Sequence, residues 1–294
     1  MVEAGLSRSS TSLGPGRAAR LARSAIAPLV WIPANALGLA ALTSPVWATS
    51  QHLGASLAPL ALAALVTLSA AALALEAGSG ELGARRVAAV GALAAIAGAL
   101  RFLETVVPGP AGFSPVFFPV IVGGYVFGAR FGFLTGATTM LVSAVVTGGV
   151  GPWLPAQTLI TGWVGMSAGW LPGGGIGSRP TGHRQMAEIV AFGAAWGMLY
   201  GLLLTPWSWL LFDGTPALGE SGNAAVQRMA AFYVSTSAAW DAFRAAGNAL
   251  LLAIAGPPVI RALRRLGRRL VAGQPSEVWR DRVGTAARPD LGRA

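Results

Sequence analysis

Residues 148–163 read GGVGPWLPAQTLITGW, a stretch that breaks an otherwise apolar chain with glycines, Pro152, Pro155, Trp153 and Gln157 before the apolar character resumes. The runs on either side, 131–147 and 155–171, carry almost no charge and sit near the lower length limit for crossing about 30 Å of hydrocarbon as a helix. Lipid cannot satisfy backbone amides, so irregular chain at this depth is tolerated only where protein covers it or where it lines a cavity. Pro155 suits the first turn of the helix that follows, where a missing N–H costs little. Trp153 offers a flat apolar face with one donor, and Gln157, Thr158 and Thr161 place polar groups along that helix. The stretch reads as the rim of an outward-facing site, or as a tight turn with an interfacial tryptophan.

The rest of the chain supports the membrane setting. Of 294 residues, 54% are hydrophobic and 11% charged, against roughly 25% charged in a soluble domain. Residues 24–48, 55–75, 87–107, 187–212 and 226–257 are each long enough to span. With the shorter runs 114–128, 131–147 and 155–171 they make eight expected transmembrane helices in an all-α integral membrane protein. The first run, with Pro28, Pro33 and Pro45, is too long for the apolar part of a signal peptide and reads as a retained helix.

All 21 basic residues are arginine, and 18 of them fall in segments that would be cytoplasmic if the N-terminus is inside. The alternation follows the positive-inside bias, which predicts that both termini are cytoplasmic. Charge that tracks topology argues against a nucleic-acid partner. The expected organisation is a cytoplasmic segment 1–24, two helices with their loop in 25–83, a six-helix core in 84–258 and an Arg-rich cytoplasmic tail in 259–294, whose Arg261, Arg264, Arg265, Arg268 and Arg269 would meet anionic headgroups.

Polar residues inside the bilayer mark candidate sites, because an isolated charge at its centre costs roughly 2.5–3.5 kcal/mol on insertion scales. Asp241, Arg244 and Asn248 share one helical face near the middle of the expected last span. They form either a polar floor to a cavity or a structural ion pair. Arg101 and Glu104 stand three residues apart at an outer helix end. Outer-half aromatics, Trp153 and Trp207 among them, would wall a large planar ligand or form an interfacial belt. Gly193, Gly197 and Gly201, and Gly124, Gly128, Gly132 and Gly136, repeat every fourth residue, a spacing that lets helices touch closely in lipid.

Catalytic patterns are few. The run GMSAG at 165–169 fits the nucleophile-elbow formula but lies in an apolar helical run. The glycine-rich GGGIGSR at 173–179 is followed by no lysine, and the chain contains none, so no P-loop is present and any ATP must be spent by a partner. The absence of cysteine removes thiolate chemistry and soft-metal sites. No catalytic residue, metal or cofactor is assigned.

The run FSPVFFPVIVGGYVFGARFGFLTGA at 113–137, followed by GGVGPWLPAQTLITGWVGMSAGWLP at 148–172, resembles the substrate-specific S component of energy-coupling factor (ECF) transporters. The likeness covers 84–258. It implies a six-helix core that binds a vitamin or related micronutrient from outside, working with a transmembrane coupling subunit and two ABC-type ATPases. Ala156 stands where an aromatic is expected, and the two helices before residue 84 are additional. The resemblance also implies a docking face for the coupling subunit on the first core helix, at Ala88, Ala92, Ala95 and Ala99. Trp153, Gln157, Thr161, Trp207, Asp241, Arg244 and Asn248, singled out above by their chemistry and spacing, are the residues expected around such a substrate. The aromatic outer half and glycine content permit a bulky ligand, and within the family the expectation is a cobalamin-type corrinoid, with thiamin-related pyrimidines and other vitamins as alternatives. The other readings are a membrane enzyme or assembly factor acting on a lipid-soluble substrate, and an autonomous secondary transporter.

The topology has a direct test. Single cysteines replacing Arg130, Trp153, Arg184 or Asp213 should react with an impermeant reagent in intact cells only at 153 and 213. Labelling at 130 together with protection at 213 overturns the eight-span arrangement.

Overall fold

The computed structural model describes residues 81–107, 113–212 and 222–272, with scattered helical positions between 32 and 74. Among them are seven helices and no strand: α1 (Glu81–Val106), α2 (Phe117–Phe127), α3 (Ala129–Thr147), α4 (Leu154–Ala168), α5 (His183–Phe212), α6 (Gly222–Thr236) and α7 (Ala238–Ala272). The all-helical membrane fold expected from composition is what is found. The readings made for the N-terminal segment, the first outer loop, the 213–221 loop and the tail beyond residue 272 lie outside the described residues.

Four segments are long and apolar enough to cross a membrane: Gly83–Val106, Ala129–Thr147, His183–Pro206 and Ala238–Leu270. The other two core helices are short. At 1.5 Å per residue, α2 and α4 reach only about 16 and 22 Å, less than the hydrocarbon thickness. They stay inside because protein surrounds them: nine of the 11 residues of α2 are buried, as are 11 of the 15 in α4. Val120, Ile121 and Tyr125 of α2, Ile160 and Val164 of α4, and Leu252 and Ile260 of α7 form the main core.

Glycine sets how closely the helices approach. Gly124 of α2 and Gly132 of α3 both lie against the Gly165 carbonyl of α4, and Gly136 lies against that of Thr161. Gly128 is different. Its φ of 97° turns the chain from α2 into α3, so the four-residue repeat runs across a turn that only glycine adopts without strain. On the other side of the core, Gly193, Gly197 and Gly201 of α5 pack against Leu252, Ala245 and Asp241 of α7.

The last expected span, 226–257, is two helices rather than one. Ser237 separates α6 from α7, and the hydroxyls around it explain why. Ser235 Oγ and Thr236 Oγ1 donate to the Phe232 carbonyl at 3.1 and 2.6 Å, and such local bonds compete with the helical ladder and bend it. At its other end α7 continues through Pro257 and Pro258 to Ala272.

Described N-terminal positions touch the core. Ala72 packs with Val90 and Leu93 of α1 and with Phe131 and Leu134 of α3, and Asn35 Oδ1 accepts a 2.7 Å hydrogen bond from Trp163 Nε1 of α4.

A β-carbon at Gly197 would fall 2.5 Å from the Ala245 Cα, so Gly197→Val must push α5 and α7 apart. Overpacking of this kind costs about 1–3 kcal/mol or more, visible as a lower melting temperature in detergent. Gly91→Val is the comparison, since nothing lies within 4 Å of its β-carbon position, and it should melt like the parent.

Candidate functional site

Polar side chains from five parts of the chain gather where α1, α4, α5 and α7 meet. Short α2 begins below this region, with Phe117 edge-on to Tyr200 of α5 at 4.9 Å between centroids. The segment leading into α2 enters the bundle, where the ring of Phe113 packs on Gly247 of α7. Buried Ser114 donates its hydroxyl to Glu104 Oε2 of α1 at 2.7 Å.

The seam between α5 and α7 supplies the charges. Asp241 is 1% exposed and pairs with Arg244 one turn on. Arg244 also donates to the Gly197 carbonyl at 3.4 Å, and its guanidinium lies 5.4 Å from the Tyr200 ring centre. One turn further, Asn248 Nδ2 donates to the Gly193 carbonyl at 3.2 Å. The glycine stripe makes this possible, because a bare backbone lets α7 side chains reach carbonyls along α5. Arg101, Glu104 and Thr161 lie near the Tyr200 hydroxyl.

Several buried atoms here have no hydrogen-bond partner: Asp241 Oδ2, Asn248 Oδ1, Tyr200 Oη and Thr158 Oγ1. Leaving such a group unsatisfied costs about 1–3 kcal/mol each. Asp241 Oδ2, Asn248 Oδ1 and Tyr200 Oη, beside a charge pair, form a set of donors and acceptors suited to a polar ligand.

Of the residues expected at the site, Thr161, Asp241, Arg244 and Asn248 come together. Asp241 and Arg244 are not at mid-span, however. The break at Ser237 puts Asp241 in the first turn of α7, where a carboxylate also meets the positive end of the helix dipole. Trp153 lies just before α4, 39% exposed, with its ring against Gly151. Gln157 is half-buried in the first turns of α4. Trp207 lies on α5, and its side chain is outside the description. The expected docking alanines, Ala88, Ala92, Ala95 and Ala99, are all exposed along α1. Arg101 does not claim Glu104, whose hydrogen bond comes from Ser114.

Sequence reasoning missed Tyr200 and Ser114 as site members and named Thr158 only beside Gln157 at the rim. Tyr200 had a signal, since it sits between Gly197 and Gly201 on the glycine-striped helix. Ser114 had none beyond its neighbours. Ser167, the candidate nucleophile of the elbow pattern, is committed elsewhere: it donates to the Trp163 carbonyl at 2.6 Å and accepts from Trp196 Nε1 at 3.1 Å.

These features define an all-helical membrane protein with a cluster of polar side chains buried between its helices. Residues 85–256 match the family of the ECF transporter, substrate-specific component, and the chain belongs to that family. Comparison with curated proteins and with solved structures gave no match. The chain is therefore a multi-pass membrane transport subunit that binds substrate, not an enzyme. The match runs from the start of α1 to Gly256 of α7 and leaves out the N-terminal helical positions.

Removing Arg244 alone strands a buried carboxylate, which costs about 3–5 kcal/mol. Arg244→Ala should therefore melt far below the parent, and adding Asp241→Ala should recover part of the loss. A double variant as unstable as the sum of the two single ones rules out a mutually dependent pair.

Proposed function

We propose that the polar cluster at the α4, α5 and α7 junction is the substrate site of an ATP-driven micronutrient importer. The carrying observation is the set of buried, unpartnered atoms on Asp241, Asn248 and Tyr200. A ligand that satisfies them gains the energy their isolation costs. Thr161 completes the inner wall. Trp153, Gln157 and Trp207 belong to the outer approach, where the amide of Gln157 and the half-exposed indole of Trp153 are available to a bound molecule.

The finer reading is a cobalamin-type corrinoid. The ring of such a molecule carries peripheral amides that both donate and accept. The cluster offers acceptors at Asp241 and Asn248, a cation at Arg244 and an adaptable hydroxyl at Tyr200. The substrate enters from outside, and both termini are cytoplasmic. Energy comes from a partner assembly, a transmembrane coupling subunit with two ABC-type ATPases, docked on the exposed face of Ala88, Ala92, Ala95 and Ala99. Small side chains there allow the close helix contact that stands in for hydrophobic force in lipid.

One purification tests the reading. The chain isolated gently from cells supplied with cobalamin should retain a corrinoid, read by mass spectrometry and visible absorbance. Asn248→Ala and Gln157→Ala should each weaken retention roughly threefold to tenfold, the worth of a neutral hydrogen bond of about 0.5–1.5 kcal/mol. Ala92→Leu and Ala95→Leu should keep the ligand and lose co-purification with the coupling subunit. Substrate uptake by liposomes holding this chain alone, driven by an ion gradient, would falsify the ATP-driven reading.

A further inference from the structure

The inner end of α7 carries a second concentration of charge that the substrate site does not use. Arg261, Arg264, Arg265 and Arg268 border a hollow of about 200 Å³ closed on its far side by Ser178 and Pro180 of the glycine-rich loop. Arg264 is only 3% exposed. Its guanidinium donates to the carbonyls of Gly175, Arg179 and Gly173 at 3.2, 2.9 and 2.8 Å and to Thr181 Oγ1 at 3.0 Å, and it lies 5.5 Å from the Tyr125 ring centre. Arg264 thus serves the fold instead of lying in a tail against headgroups. Its hydrogen bonds are filled, but by neutral acceptors, so its charge is not cancelled.

The other arginines add to that charge. Arg261, Arg265 and Arg268 are exposed, and no carboxylate among the described residues pairs with any of the four. Like charges crowded on one helical face repel, and an anion in the hollow reverses the sign of that interaction. Directly beside the hollow, and sharing Arg265 with it, is a second depression floored by Ala262 and Leu266 and flanked by Arg269. Leu266 is 44% exposed among these arginines. A cationic hollow joined to an apolar strip matches a molecule with a phosphate at one end and a hydrocarbon chain at the other. Position agrees: Arg264 lies 23 residues along α7 from Asp241, about 35 Å of helix, roughly one hydrocarbon thickness away.

We infer that this hollow binds the phosphate of an anionic glycerophospholipid, with an acyl chain along Ala262 and Leu266. Arginine forks suit phosphate oxygens, and basic residues close to a membrane surface attract anionic lipid with about 1 kcal/mol each.

The full chain, reconstituted in equal parts phosphatidylglycerol and phosphatidylcholine and re-extracted in mild detergent, should retain phosphatidylglycerol selectively in native mass spectrometry. The combined variant Arg261→Gln, Arg265→Gln and Arg268→Gln should bind it on the order of a hundredfold more weakly. It should melt close to the parent, because Arg264 keeps its loop contacts and the one bond lost, from Arg268 to the Ile176 carbonyl at 3.4 Å, is long and exposed. Arg184→Gln, which removes a guanidinium already paired with Glu188, should leave retention unchanged. Equal retention of both lipids, or full retention by the triple variant, overturns the inference. So does thermal stabilisation by inorganic phosphate alone with none from phosphatidylglycerol, which would make the site one for free anions.

Discussion

The fold rests on the contact between Gly132 and Gly165. Helices α2 and α4 are too short to cross the hydrocarbon, so the irregular chain at their ends must lie within protein. That requires the helices around them to approach to backbone distance, and each of these glycines lies against the other's carbonyl. In lipid there is no hydrophobic force between helices, so close packing of small residues supplies the attraction. A side chain at either position would open the inner layer and expose amides that hydrocarbon cannot satisfy.

The buried polar cluster follows from that arrangement. Phe117 at the start of α2 packs edge-on to Tyr200, beside polar groups from α1, α4 and α7. The same glycine logic acts on the α5–α7 seam, where bare backbone at Gly193 and Gly197 receives Asn248 and Arg244. A charged pair tolerated in the bilayer, a row of accessible carbonyls and several unpartnered atoms then share one small region.

Much of this was legible in the sequence, for identifiable reasons. Glycine spacing and apolar run length each encode a periodic or cumulative property, so the all-helical membrane fold and the close glycine-lined helix contacts could be read directly. Asp241, Arg244 and Asn248 were legible as one face because the helix between them is regular. What escaped was non-periodic. The bend at Ser237 depends on hydroxyls turning back to Phe232, a local competition that leaves the hydropathy of 226–257 unchanged. Arg264 reads as one of a surface series at helical spacing, and only the tertiary path of the glycine-rich loop reveals that it alone is buried. Tyr200 is one tyrosine in an apolar helix until Phe117 and Arg244 are seen against it.

Arg264 also imposes an order of events on a growing chain. Its acceptors lie 83 to 91 residues earlier, in the loop that joins α4 to α5. Until α7 has been synthesised through that arginine, the carbonyls of Gly173, Gly175 and Arg179 have no guanidinium to donate to them. That end of the bundle therefore cannot close before Arg264 has been made. A chain cut short just before Arg264 would carry the buried apolar residues of the core, Ile260 included, and still lack its latch, a difference that insertion machinery counting hydrophobic segments would not detect but a protease sampling open loops would.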